Sequence, residues 1–197
     1  MLNRIRSKIE PMMNTLGLKL ASTGISPNAW TIIGFFISAL SGIIYAMQGL
    51  IEYAIIYGGM ILIISGFTDM IDGAVARATK QVSRKGAFLD STLDRVSEVI
   101  IYAGILYANI SNSLFVLLAI TLSLLVSYAR ARAESLGIEL KGVGIGERAE
   151  RLLILAITSI LAGLADMEIM DYGLIIIIII ATITFIQRVI IIINKLS

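Results

Sequence analysis

Four aspartates, Asp69, Asp72, Asp90 and Asp94, crowd into the stretch FTDMIDGAVARATKQVSRKGAFLDSTLDRVSE at positions 67–98. Asp69 and Asp72 are three residues apart, and Asp90 and Asp94 four apart, so on helices each pair shares a face. The short connection at 79–85 predicts that the two helices fold back as antiparallel neighbours, with the carboxylates converging at one end. Clustered carboxylates repel one another and are costly to desolvate, so they call for a counter-charge. The chain has no histidine and no cysteine, which excludes disulfides, thiolate nucleophiles and imidazole acid–base chemistry. An all-oxygen ligand set suits Mg²⁺, Mn²⁺ or Ca²⁺ better than zinc, and magnesium keeps positions open for substrate phosphates. Gly73, Ala76 and Gly86 allow close approach of a backbone or ligand, and Arg77 can meet a phosphate. In the competing reading Arg77, Arg84 and Arg95 neutralise the aspartates and no ligand binds.

The elements that position this cluster are membrane helices. Hydrophobic residues make up 57% of the chain and its mean hydropathy is +0.91, far from a soluble domain. Six spans are predicted, at about 29–47, 53–78, 86–107, 113–134, 147–165 and 172–193, each near the length that crosses a bilayer. With six spans, every lysine and arginine falls on one side of the membrane or in span ends facing it. The opposite loops, near 48–52, 109–112 and 166–171, contain none. The positive-inside rule puts that basic side, with both termini and the aspartates, in the cytoplasm. Residues 1–26 make a poor signal peptide because Arg4, Arg6, Lys8 and Lys19 interrupt any apolar core. Leu2, Ile5, Ile9, Met12, Leu16 and Leu20 recur at steps of three or four, which predicts an amphipathic helix at the interface, bent at Pro11. The expected architecture is all-α: an interfacial segment at 1–26 and a six-transmembrane-helix catalytic domain at 27–197. The run LIIIIIIATITFI is expected to face lipid.

The pattern Asp69-x2-Asp72-Gly73-x2-Ala76-Arg77-x8-Gly86-x3-Asp90-x3-Asp94 resembles the signature of the CDP-alcohol phosphatidyltransferases, with all eight defining positions filled. The resemblance implies a six-helix membrane fold, usually a homodimer in the cell membrane. It implies transfer of a phosphatidyl-type group from a CDP-linked lipid to an alcohol, with release of CMP at a two-metal site, normally magnesium, with manganese as the variant. Asp69, Asp72, Asp90 and Asp94 would be metal ligands, and Asp94 also the general base. Asn28, Thr31, Gly73, Arg77 and Ser83 would hold the CDP-lipid. No nucleic-acid partner is implied.

The acceptor is expected to be read elsewhere. YARARAESLGIELKGVGIGERAERLLIL, at 128–155, supplies a second basic group, and Arg188 is an unusual charge in the last span. Such a group suits an acceptor that itself carries a phosphate. Arg132, Lys141, Arg151 and Arg188 are the expected phosphate ligands, whereas Arg130 and Arg148 are read as membrane anchors. The region is similar to that of inositol-phosphate-using members, the phosphatidylinositol and archaetidylinositol phosphate synthases. Glycerol-3-phosphate is the rival acceptor, and serine suits so many cations less well. A magnesium channel or carrier is the non-enzymatic alternative, but it would distribute acids along a path instead of at one end.

Overall fold

The computed structural model describes residues 12–13, 15–140 and 142–196. Among these the chain is all-helical. Six long helices follow a short N-terminal helical segment at 15–21. They are α1 (Pro27–Ala46), α2 (Ala54–Ala78), α3 (Arg84–Tyr107), α4 (Ser113–Ser135), α5 (Arg148–Leu164) and α6 (Glu168–Leu196). Four of them, α1, α2, α4 and α6, are long and apolar enough to cross a membrane, which marks an integral membrane protein.

Helix ends fall where the sequence provides caps. Ser26 accepts from the Ala29 N–H ahead of Pro27 at the first helical position. Asn112 caps α4 through the Leu114 N–H. Glu147 and Glu150 form a reciprocal capping box that opens α5. Between the two aspartate-bearing helices, Lys80 turns left-handed at φ 56°. Gln81 N–H then reaches Ala76 O at 3.0 Å and Lys80 N–H reaches Arg77 O at 3.3 Å, the double closure that ends a helix sharply. Ser83 restarts the chain as α3 by accepting from Gly86 N–H at 3.0 Å.

The packing departs from expectation at one point. The short turn predicts α2 and α3 as antiparallel neighbours, yet their main packing partner is α1, which inserts between them. Gly42 of α1 and Gly104 of α3 cross so closely that a Cβ on Gly104 would overlap the Gly42 carbonyl oxygen. From there the neighbours run α1–α2–α5–α6–α4–α3 and back to α1, a closed circuit whose loosest seam is α3–α4. All six helices contribute to one apolar core, among them Tyr45, Leu62, Ile105, Ala119, Leu155 and Leu174. The isoleucine run of α6 splits by helical period. Ile177 is buried, while Ile176, Ile179, Ile183 and Ile186 face outward, as a lipid-facing surface would.

Leu2, Ile5, Ile9 and Pro11 of the expected amphipathic segment lie outside the described residues. Of the rest, Leu16 and Leu20 pack with Met13 against Ile71, Ala74 and Val75 of α2, while Met12 is exposed. Gly17 makes this docking close: a Cβ there would sit 2.7 Å from the Ala74 carbonyl oxygen.

Gly104→Ala is expected to force α1 and α3 apart and lower stability by about 1–3 kcal/mol. Thermal unfolding in detergent checks this, with a fall in Tm of several degrees as the expected result.

Candidate active site

The C-terminal ends of α2, α4 and α6 and the N-terminal ends of α1, α3 and α5 meet at one end of the circuit, and the charged residues collect there. One carboxylate oxygen from each of Asp69, Asp90 and Asp94 lies within 4.8 Å of the others. Asp72, on the same face of α2, is nearly buried, and its Oδ2 accepts a 2.8 Å hydrogen bond from the Thr31 hydroxyl. Asp72 therefore borders the same narrow cleft as Asp69 and Asp94, next to α1. Three of the four expected metal ligands converge, and the fourth is held one step to the side. The donors are all carboxylate oxygens, partly buried and closely spaced, which fits a hard divalent cation.

The charge on this cluster is met by Arg148. Its Nη1 lies 2.7 Å from Asp94 Oδ1 and 3.3 Å from Asp69 Oδ1. Among the described residues, the ion pairs to the cluster come from Arg148 and not from Arg77, Arg84 or Arg95. Arg95 instead donates to the Ser91 carbonyl of its own helix. Of the residues expected at the nucleotide, Thr31 bonds Asp72, Asn28 and Ser83 meet at Gly86, and Gly73 lies beside Arg77. A Cβ on Gly86 would stand 3.0 Å from Asn28 Oδ1 and 3.1 Å from Ser83 Oγ, so Asn28, Ser83 and Gly86 form one corner. Gly73 faces the Arg77 guanidinium, at 3.3 Å from its would-be Cβ.

Beside the carboxylates, the loose α3–α4 seam opens into a cavity of about 360 Å³. Asp90, Asp94 and Arg95 line its near wall, and Arg130, Arg148, Arg151 and Arg188 stand around the rest with Glu134 and Glu147, Glu134 pairing with Arg130. Of the residues expected at the acceptor phosphate, Arg151 and Arg188 line this cavity. Arg132 is not: it lies at the exposed end of α4, where it bonds the Ser135 hydroxyl. Lys141 lies outside the described residues. Arg130 and Arg148, expected only as anchors, line the cavity instead. The positive-inside pattern accounts for any arginine at a span end, so it concealed these two.

Two arginines of the cavity are also bound to the scaffold. Arg188 donates to Val126 O at 2.7 Å and Val143 O at 3.1 Å. Arg151 donates to Gly146 O at 2.8 Å and Ser123 O at 3.4 Å. Each thus ties the 136–147 loop to the middle of α4. Arg151 is fully buried, and so is its partner Glu98, at 3.2 Å. Glu98 went unremarked in the sequence because it closes a stretch already rich in charge. A buried charge whose partner is removed is left uncompensated.

The family profile of CDP-alcohol phosphatidyltransferase matches residues 24–192. The chain belongs to this family, and it is an enzyme of that class, serving phospholipid biosynthesis. It is 40% identical over 189 residues to an archaetidylinositol phosphate synthase of Pyrococcus horikoshii, covering 96% of this chain and 95% of that one. A crystal structure of Mycobacterium tuberculosis phosphatidylinositol phosphate synthase with CDP-DAG bound is similar at a TM-score of 0.79 and 26% identity, covering 92% of this chain and 94% of that one. A second crystal structure of that synthase, in complex with manganese and citrate, also gives a TM-score of 0.79 at 26% identity, over 91% of this chain and 88% of that one.

Glu98→Ala is expected to cost about 3–5 kcal/mol by stranding Arg151, whereas replacing both Glu98 and Arg151 with leucine should cost less than the single change. Chemical or thermal unfolding of the three proteins in detergent checks the order.

Proposed function

We propose that this enzyme transfers a phosphatidyl-type group, diacyl or archaeal ether, from a CDP-linked lipid to inositol phosphate, releasing CMP. The observation that carries the reading is the arginine-lined cavity sharing Asp90 and Asp94 with the carboxylate cluster. It offers a phosphorylated alcohol a cationic seat beside a potential base. The kinship with a synthase named for archaetidylinositol phosphate favours inositol phosphate as that alcohol. The manganese complex of the mycobacterial enzyme supports a divalent metal.

In this reading six helices span the cell membrane, with the site and both termini on the cytoplasmic side. Residues 27–197 are the catalytic domain, and residues 1–26 lie along the interface. Two copies form a homodimer. Asp69, Asp72, Asp90 and Asp94 would hold magnesium, two ions in all, or manganese. Bound there, the metal would offset charge on the donor pyrophosphate and on the departing CMP.

The chain's own groups do the remainder. Asn28, Thr31, Gly73, Arg77 and Ser83 hold the CDP portion, with Gly73 giving it room to approach the backbone. Arg130, Arg148 and Arg188 orient the acceptor phosphate, with Lys141, outside the described residues, as a further ligand. Arg151 fixes the loop behind them through Gly146. Asp94 receives the acceptor's hydroxyl proton as that oxygen bonds to the lipid-bearing phosphorus. The phosphorus–oxygen bond to CMP breaks in the same displacement. The lipid tails stay in the bilayer, which accounts for a site at the helix ends.

Purified protein given CDP-lipid, Mg²⁺ and inositol phosphate is expected to release CMP, and release with glycerol-3-phosphate alone would overturn the acceptor. Asp94→Asn is expected to abolish turnover while leaving CDP-lipid binding largely intact. Arg188→Ala and Arg130→Ala should raise KM for the acceptor at least tenfold more than KM for CDP-lipid, and Arg132→Ala should change neither by more than about twofold. Steady-state CMP release with each substrate varied in turn measures the difference.

A further inference from the structure

Arg148 belongs to two places at once. Its guanidinium bridges Asp69 and Asp94, two of the three carboxylates that converge. The same side chain lines the neighbouring cavity with Arg130 and Arg188. It is the first residue of α5, and the backbone on which it stands is held firmly. The capping box at Glu147 and Glu150 fixes the helix start. Gly146 N–H donates to the Thr184 hydroxyl at 3.0 Å, and Gly146 O receives Arg151. A change of place for Arg148 therefore needs side-chain rotation only. Its hydrogen bonding between the carboxylates is also incomplete, because Nε is buried without a partner.

A divalent cation held by Asp69 and Asp94 would strongly repel a guanidinium in contact with the same two carboxylates, which favours one occupant over both. Resting on the metal-site reading above, we propose that Arg148 is a counter-ion shared between the two sites. It neutralises Asp69 and Asp94 until a divalent cation displaces it into the cavity, where it completes the seat for the acceptor's phosphate. Metal and acceptor then bind cooperatively, because each favours the rotated arginine. Linkage makes the effect reciprocal: the acceptor raises metal affinity by the factor that the metal raises acceptor affinity.

The test titrates Mn²⁺ into the full-length protein in detergent, following free Mn²⁺ by electron paramagnetic resonance, with and without inositol monophosphate. Wild type is expected to bind Mn²⁺ roughly tenfold more tightly when inositol monophosphate is present. Arg148→Gln should bind Mn²⁺ more tightly than wild type in its absence and lose most of the enhancement. Arg95→Gln removes the same charge from the same cavity without a bridge to the carboxylates, so its Mn²⁺ affinity should rise less and its enhancement should persist. If Arg148→Gln and Arg95→Gln behave alike, the effect is long-range charge and the shared counter-ion is overturned while the metal site stands. If wild type binds no Mn²⁺, both fall. Arg148→Lys guards against misfolding of the glutamine variant. Lacking the guanidinium fork, it should give an intermediate enhancement, and behaviour identical to wild type would overturn the proposal.

Discussion

Carboxylates from two different helices stand close enough at the end of this bundle to repel one another, and the surrounding structure is arranged around that repulsion. Asp69 comes from α2, and Asp90 and Asp94 from α3. In water such groups would separate. Here α1 holds them, packing closely against both helices and crossing α3 at Gly42 and Gly104. The cost of confining negative charge is met from across the circuit, by Arg148 at the start of α5. The cation that offsets the cluster in this structure is the Arg148 guanidinium.

The scaffold around the neighbouring cavity follows a parallel logic. Arg151 and Arg188 each draw a carbonyl of the 136–147 loop and a carbonyl of α4 together. Buried arginine is expensive in a membrane protein unless its donors are satisfied. Glu98 and four main-chain oxygens supply most of that here, while Arg151 Nε is buried without a partner. The loop leading into α5 is thereby fixed, and with it the position from which Arg148 reaches the carboxylates. Residues far from the reacting atoms thus set the geometry at them.

Much of this was legible in the chain. The three- and four-residue spacing of the aspartates gave their shared faces, and apolar runs between polar loops gave the six helices to within a few residues at their ends. Asp166 moved one boundary: its side chain accepts from Glu168 N–H, so α6 begins earlier than its apolar run. The insertion of α1 between α2 and α3 was not legible, because hydrophobic pattern tells which face is apolar and not which helix covers it. Gly42 and Gly104 were the available hint, each small at a mid-helix position. Arg148 was hidden by its setting, since an arginine at a span end satisfies the topology rule whatever else it contacts. Arg132 misled for the converse reason: it sits in the same run as Arg130 but on the face of α4 turned from the cavity. The cluster Met13, Leu16 and Leu20 showed that an amphipathic period identifies a buried stripe without saying whether lipid or protein buries it.

The central claim is that the α2 and α3 carboxylates hold a divalent cation. Anomalous diffraction from crystals of the protein grown with Mn²⁺ tests it most directly. The account predicts manganese peaks bounded by Asp69, Asp90 and Asp94, with the Arg148 guanidinium turned out of contact with Asp69. Saturating Mn²⁺ with no peak at these residues, and Arg148 still bridging them, would contradict it.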